Sequence, residues 1–187
     1  MRKKILIFLG IVVVVLTGYY VYFRHINHNL TEISEGKVYS SGVIPPGEIE
    51  SYVKKLKIKT IVDLRDSSVQ DELNPALEAD IQAERKAVEA IDGVEHINIP
   101  TLQIPKDKAV DDFIEVMSDS TNYPVLIHCY HGTGRAVLFS ALYRIEFEDF
   151  SNDEARRKTR YIVPFSNFDK DSEKGQYLLN YEKRRTE

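Results

Sequence analysis

Three short apolar runs are the feature that most limits the fold: Lys59–Leu64 (KTIVDL), Val94–Ile99 (VEHINI) and Pro124–Cys129 (PVLIHC). Each is too short for a helix and rich in β-branched residues, so each reads as a strand, the first and third buried on both faces. Segments of helical spacing alternate with them. Glu48–Leu56 sets Ile49, Tyr52, Val53 and Leu56 on one face, and Pro75 opens a helix running to about Ile91. Within 105–118 a loop leads into a helix with Val110, Phe113, Ile114 and Met117 on its apolar face, and Arg135–Phe147 forms another. Ser151 with Glu154 is a capping box that opens one more. Lys37–Ser41 adds a short strand ahead of the turn at Pro45-Pro46. Strands alternating with helices imply parallel βαβ units, and hence an α/β fold with a central, mostly parallel sheet flanked by helices.

The N-terminus is of another kind. Ile5–Phe23 is an uncharged run of 19 residues preceded by Arg2, Lys3 and Lys4. As a helix it roughly matches a ~30 Å hydrocarbon layer. The leading cations favour a cytoplasmic N-terminus, and Tyr19, Tyr20, Tyr22 and Phe23 suit the far interface. The sequence at the end of the run, Tyr-Tyr-Val-Tyr-Phe-Arg, is a poor signal-peptidase site, so an uncleaved transmembrane anchor is expected over a secretory signal. The expected division is an anchor at 1–24, a polar linker at 25–36 and a catalytic domain at 37–187, outside the cytoplasmic face. Lys183-Arg184-Arg185 reads as a solvated tail.

Charge narrows the partners. The net charge is −4, but residues 1–24 hold four cations and no acid, which leaves the remainder at −8. Such a domain offers no electrostatic attraction to nucleic acid. One cysteine excludes an internal disulfide and any multi-cysteine metal centre, and His25, His28 and His96 lack metal-ligand spacing. Asp63 and Arg65, at the end of a strand, are expected to pair locally.

His128-Cys129-Tyr130-His131-Gly132-Thr133-Gly134-Arg135 sits at the C-terminal end of a buried strand and opens a helix, where open α/β sheets bind ligands. Five residues between Cys129 and Arg135 curl into a nest of backbone N–H groups that suits a tetrahedral oxyanion. Gly132 and Gly134 permit the turns. The helix N-terminus adds a positive dipole end, and the Arg135 fork can bridge two phosphate oxygens. The same features favour the thiolate form of Cys129. That thiolate would attack phosphorus and form a phosphocysteine, while the amides of Tyr130–Gly134 and Arg135 hold the equatorial oxygens. The chemistry calls for no metal and no cofactor. Taken singly, Cys129 would be a small buried hydrophobe and Arg135 a surface charge; their joint placement favours the site.

These residues resemble the cysteine-dependent phosphatases of the protein-tyrosine and dual-specificity superfamily, whose signature is His-Cys-x5-Arg. Val38-Tyr39-Ser40-Ser41-Gly42 with Pro45-Pro46, Ile58–Arg65, Ala141–Ile145 and Ser151–Ala155 extend the resemblance to the compact bacterial and fungal dual-specificity-like members, over roughly 37–165. The resemblance implies Cys129 as nucleophile, Arg135 as phosphate binder and His128 as a supporting residue. It also implies an aspartate on the loop after strand 94–99 that protonates the leaving oxygen. Asp107 is the first carboxylate there, with Asp111 and Asp112 next, and an N-capping role for Asp107 is the competing reading. The usual Trp-Pro-Asp sequence is absent. Ala136 departs from the family's Ser or Thr after the arginine, which implies slow breakdown of the phosphoenzyme.

The expected activity is hydrolysis of phosphomonoesters, with phosphotyrosine on proteins the favoured substrate and phosphoserine or phosphothreonine also open. Inositol phosphates and phosphoinositides also stay open as substrates, although the lack of Lys at 130–134 weighs mildly against polyanions. Alternatives are a pseudophosphatase that binds phosphoproteins, a sulfurtransferase and a redox-sensing thiol.

Overall fold

The structure, a computed structural model, describes residues 2–159 and 168–185. Five strands, β1 (Thr31–Ser34), β2 (Val38–Ser41), β3 (Thr60–Asp63), β4 (Glu95–Asn98) and β5 (Val125–His128), form one sheet in the order β1-β2-β5-β3-β4. β1 is antiparallel to β2, and the other neighbours are parallel. The helices are α1 (Arg2–Val21), α2 (Pro46–Leu56), α3 (Glu78–Glu89), α4 (Asp107–Ser118), α5 (Arg135–Phe147), α6 (Asn152–Lys158) and α7 (Glu173–Leu179). This is the α/β architecture, with a mostly parallel sheet flanked by helices, that the alternation of runs predicts.

Strand alternation sorts the core into two layers. Val38, Val62, Val125 and Ile127 pack with Phe113 and Met117 of α4, with Leu138 and Leu142 of α5, and with Leu178 of α7. Tyr39, Ile61 and Leu126 pack on the opposite face with Ile49 and Val53 of α2 and Val88 of α3. α5 is buried almost all round, because α4, α6 and α7 enclose its outer side. The capping box at Ser151 is present, with Ser151 accepting from the Glu154 amide and Glu154 bonding back.

Two expectations differ from the structure. Thr31–Ser34, part of the polar stretch read as linker, is the edge strand: Thr31 pairs with Ser40, and Ile33 packs on the core. An edge strand with one wet side needs few apolar residues, so its composition looks like linker. The basic tail is also bound. Arg184 pairs with Asp107 and Asp111, each at 2.6 Å, and the Arg185 guanidinium lies 4.2 Å from the Phe147 ring centre. The Arg184 and Arg185 amides both donate to the Glu146 carboxylate. Of the resemblance over 37–165, residues 160–165 lie outside the described residues.

Lys3–Ile26 is helical, α1 running on into a π-helical turn, and is long and apolar enough to cross a membrane; its most apolar stretch is unburied.

Candidate active site

β5 ends at His128, and the chain then bends through Cys129–Gly134 before α5 begins at Arg135. The bend is held from the β2 side. The Val43 amide donates to the Tyr130 carbonyl at 3.1 Å, and Asn29 Nδ2 donates to the His131 carbonyl at 2.7 Å. In a trans peptide the N–H opposes the C=O, so the His131 and Gly132 amides point away from those partners. Gly132 has φ +72°, and a Cβ there would lie 2.3 Å from the Gly42 nitrogen. Only glycine satisfies both the left-handed backbone and that approach.

Arg135 is 5% exposed and bridges two strand ends, its Nη1 donating to the Leu64 carbonyl at 3.1 Å and the Thr101 carbonyl at 3.2 Å. Its Nε and Nη2 are buried with no hydrogen-bond partner among the described residues. Two unfilled donors on one guanidinium edge match two oxygens of a single anion. Cys129, 2% exposed, and the fully buried Ala136 belong to the core cluster that α5 shares with the sheet. Tyr130, 37% exposed, packs edge-on against His131, whose Nε2 lies 2.9 Å from the Leu73 carbonyl oxygen.

Behind the loop lies a buried charge network. Asp63 and His128 are register partners on β3 and β5, on the face that α3 covers. Arg65 Nη2 donates to Asp63 at 2.8 Å and to Glu84 of α3 at 2.6 Å. Glu84 Oε1 lies 2.7 Å from His128 Nε2, off the line of an ideal hydrogen bond, and 3.2 Å from His96 Nε2. Burial opposes ionisation of Glu84, but His128, His96 and Arg65 outweigh it and hold its carboxyl far below the usual range. Burial likewise disfavours charged His128, and Glu84 with Asp63 reverse this and raise its pKa. Asp63, Glu84, His96 and His128 offer ligand-type atoms within 4.8 Å of one another. The Arg65 guanidinium already sits between the two carboxylates and offsets one of their two negative charges, and a proton shared with His128 or His96 offsets the other. The expected pairing of Asp63 with Arg65 is present.

In front of Arg135 opens a cavity of about 520 Å³ with Asp66, Asp71, Glu72 and Glu173 in its wall. Gln103, on the loop after β4, also lines it. Lys174 of α7 is buried, and its Nζ donates to Gln103 Oε1 at 2.7 Å. The Asp71 carboxylate accepts from the Leu73 and Asn74 amides and from Asn74 Nδ2, which outweigh burial and lower its pKa.

The structure therefore brings together Cys129, Arg135, the 130–134 loop and His128. Asp107 stands apart. At the start of α4, its carboxylate is 90% exposed, bonds Arg184 at 2.6 Å and lines a different cavity with Tyr177 and Tyr181. Asp111 shares Arg184, and Asp112 pairs with Lys108 at 2.7 Å. Glu84, Gln103 and Lys174 escaped sequence reasoning. Glu84 lies on an ordinary amphipathic helix, and Lys174 is one charge in a charged stretch.

A family model described as a DSP-PTPase phosphatase fused to NAD+ kinase matches residues 21–175. Among solved structures, the chain is similar to P. aeruginosa TpbA, with 21% identity and a TM-score of 0.60 over 83% of this chain and 86% of that one. It is also similar to the core catalytic domain of the S. cerevisiae PP-IP phosphatase SIW14 in complex with citrate, with 16% identity and a TM-score of 0.63 over 82% and 85%. A cysteine-to-serine variant of TpbA in complex with pTyr matches at 20% identity and a TM-score of 0.58, over 82% and 84%. At these identities the likeness is one of fold. No curated protein matches the chain.

Proposed function

The chain belongs to the DSP-PTPase family of cysteine-based phosphatases, and from that premise we propose that it hydrolyses phosphomonoesters through a phosphocysteine on Cys129. One observation carries the reading: the buried, unpartnered Nε and Nη2 of Arg135, at the mouth of the loop that Cys129 begins. A phosphoryl dianion satisfies both donors while the loop amides take its remaining charge. The thiolate attacks phosphorus in line, the P–O bond to the leaving group breaks, and water then cleaves the S–P bond. His128, whose protonated form is favoured by the nearby Glu84 carboxylate, sits one residue before the nucleophile.

The favoured substrate is phosphotyrosine on a protein. TpbA binds pTyr and SIW14 is a PP-IP phosphatase, so the two neighbours point in different directions. The wall of the cavity supports the first. Asp66, Asp71, Glu72 and Glu173 repel a ligand bearing several phosphates, whereas a single phosphoryl group reaches Arg135 past them. Tyr130, exposed and next to Cys129 in the chain, offers aromatic surface to a phenyl group. Ala136 favours a slow second step, the feature that a phosphoprotein-binding pseudophosphatase would carry to its limit. α1, with three preceding or leading cations, is proposed as a membrane anchor with a cytoplasmic N-terminus and an extracytoplasmic domain.

Phosphate release from a phosphotyrosine peptide and from inositol hexakisphosphate and pyrophosphate, at equal concentrations, tests the reading. Higher kcat/KM on the peptide by tenfold or more is expected; preference for the polyphosphates would reverse the assignment. Phosphopeptide binding with no release would favour the pseudophosphatase.

A further inference from the structure

Cleavage of an aryl phosphate needs a proton for the departing oxygen. None of the three aspartates nominated by sequence is free to give one: Asp107 and Asp111 are held by Arg184, and Asp112 by Lys108. Where the loop after β4 reaches the cavity it presents Gln103, a neutral amide with no acidic proton. Of the carboxylates in the wall, Asp71 is kept ionised by its own turn.

Lys174 is placed differently. A Cβ built on Gly134, the last residue of the loop before Arg135, would lie 2.9 Å from Lys174 Nζ and 3.3 Å from Gln103 Oε1. The ammonium therefore rests against the phosphate loop, and Gln103 holds it there. The placement is built into α7. A Cβ on Gly175 would lie 1.8 Å from the Asp169 carbonyl oxygen, so glycine alone lets α7 seat this closely and bury the preceding lysine. The charged groups facing Nζ are Cys129, Arg135, Glu173 and Asp71.

We propose that Lys174 is the proton donor to the leaving oxygen. The proposal rests on the phosphocysteine reading above. As the Cys129 sulfur bonds to phosphorus and the ester P–O bond breaks, one Nζ proton passes to the leaving oxygen, and Lys174 is left as the neutral amine. In the second step the attacking water takes the place the leaving oxygen vacated. It gives its proton back to Nζ as the S–P bond breaks and the thiolate is restored. Burial lowers the Lys174 pKa from its ordinary value, followed by the Cys129 thiolate opposing and Arg135 assisting that shift.

The test is the dependence of kcat/KM on leaving group, measured on the full-length chain with aryl phosphates from 2,4-dinitrophenyl to phenyl phosphate. The wild type should depend weakly on the leaving group. Lys174→Met should lose roughly 100-fold or more on phenyl phosphate and only a few-fold on the dinitrophenyl ester, whose anion leaves without a proton. Lys174→Arg keeps the charge but not a transferable proton, and should show the same steep dependence. A uniform loss across the series in both variants, with unchanged thermal midpoints, would overturn the proposal by showing a binding or structural role. So would Asp107→Asn reproducing the steep dependence, which returns the proton to Asp107. If the wild type turns over no member of the series, the phosphatase reading itself falls. A retained dinitrophenolate burst in Lys174→Met, absent in Cys129→Ser, shows instead that the nucleophile is intact and only the donor is lost.

Discussion

Glu84 Oε1 lies 2.7 Å from His128 Nε2, so the residue before Cys129 is tied to a carboxylate on α3. Asp63, Arg65 and His96 complete the cluster, and without a charged histidine it would be left with one excess negative charge. One proton on the histidines neutralises it. A structural network under the sheet thereby fixes the charge state behind the proposed nucleophile.

That network predicts a pH dependence of stability. Glu84 has its pKa depressed below the ordinary 4.5, so its contribution is complete above about pH 4.5 and fades as the pH falls through its native value. His128 has its pKa raised above 6.5, so its contribution is complete below about pH 6.5 and is lost as the pH rises through its native value. Thermal midpoints across pH 3–9 should be highest between these limits. Glu84→Gln should flatten the curve and lower stability by about 3 kcal/mol, the low end for breaking a buried ion pair. A variant as stable as the wild type, with the same profile, would show that the network contributes nothing.

Gly132→Ala should cost about 1–2 kcal/mol from the left-handed backbone alone, and the predicted Cβ contact 2.3 Å from the Gly42 nitrogen adds to it. Because the loop itself must shift, kcat should fall at least tenfold, and vanadate should inhibit less well. Assays of the purified variant at a temperature where it remains folded check this. Unchanged vanadate affinity would mean that the loop's shape does not form the oxyanion site.

Ala136 is fully buried at the second position of α5, beside the cluster that holds Cys129. Ala136→Ser restores the hydroxyl common in the family and should accelerate breakdown of the phosphoenzyme by severalfold. Pre-steady-state bursts with p-nitrophenyl phosphate report this as a faster linear phase after an unchanged burst. An unaltered linear phase would place the limiting step elsewhere.

α1 predicts that the full chain stays with membranes through alkaline carbonate washing, whereas a chain lacking residues 2–24 is released and keeps its kcat. Release of the full chain by the wash would contradict the anchor.

Much of this arrangement was legible in short-range pattern. Arg135–Phe147 was bounded by Gly134 ahead of it and by the end of its apolar spacing, and the structure begins and ends α5 at those residues. Ser151 and Glu154 announced α6 because a capping box is a local device. The Cys129–Arg135 spacing was legible for the same reason, since one loop contains both ends of the site. Thr31–Ser34 was hidden because an edge strand needs little apolar surface. Lys174 was hidden because Gly134 is 40 residues earlier, and only tertiary packing over Gly175 joins them. Asp107 satisfied a local pattern, proline then acid at a helix start, but Arg184 near the far end of the chain decides where its carboxylate goes.

The phosphocysteine mechanism requires the Cys129 sulfur as the atom that takes the phosphoryl group. Rapid acid quench of the full-length chain with 32P-labelled phosphotyrosine peptide, followed by intact-mass and peptide mapping, measures this directly. Acid-trapped phosphate on the peptide containing Cys129 in the wild type, and neither label nor turnover in Cys129→Ser, is the predicted result. Turnover persisting in Cys129→Ser, or label on any other residue, would contradict it.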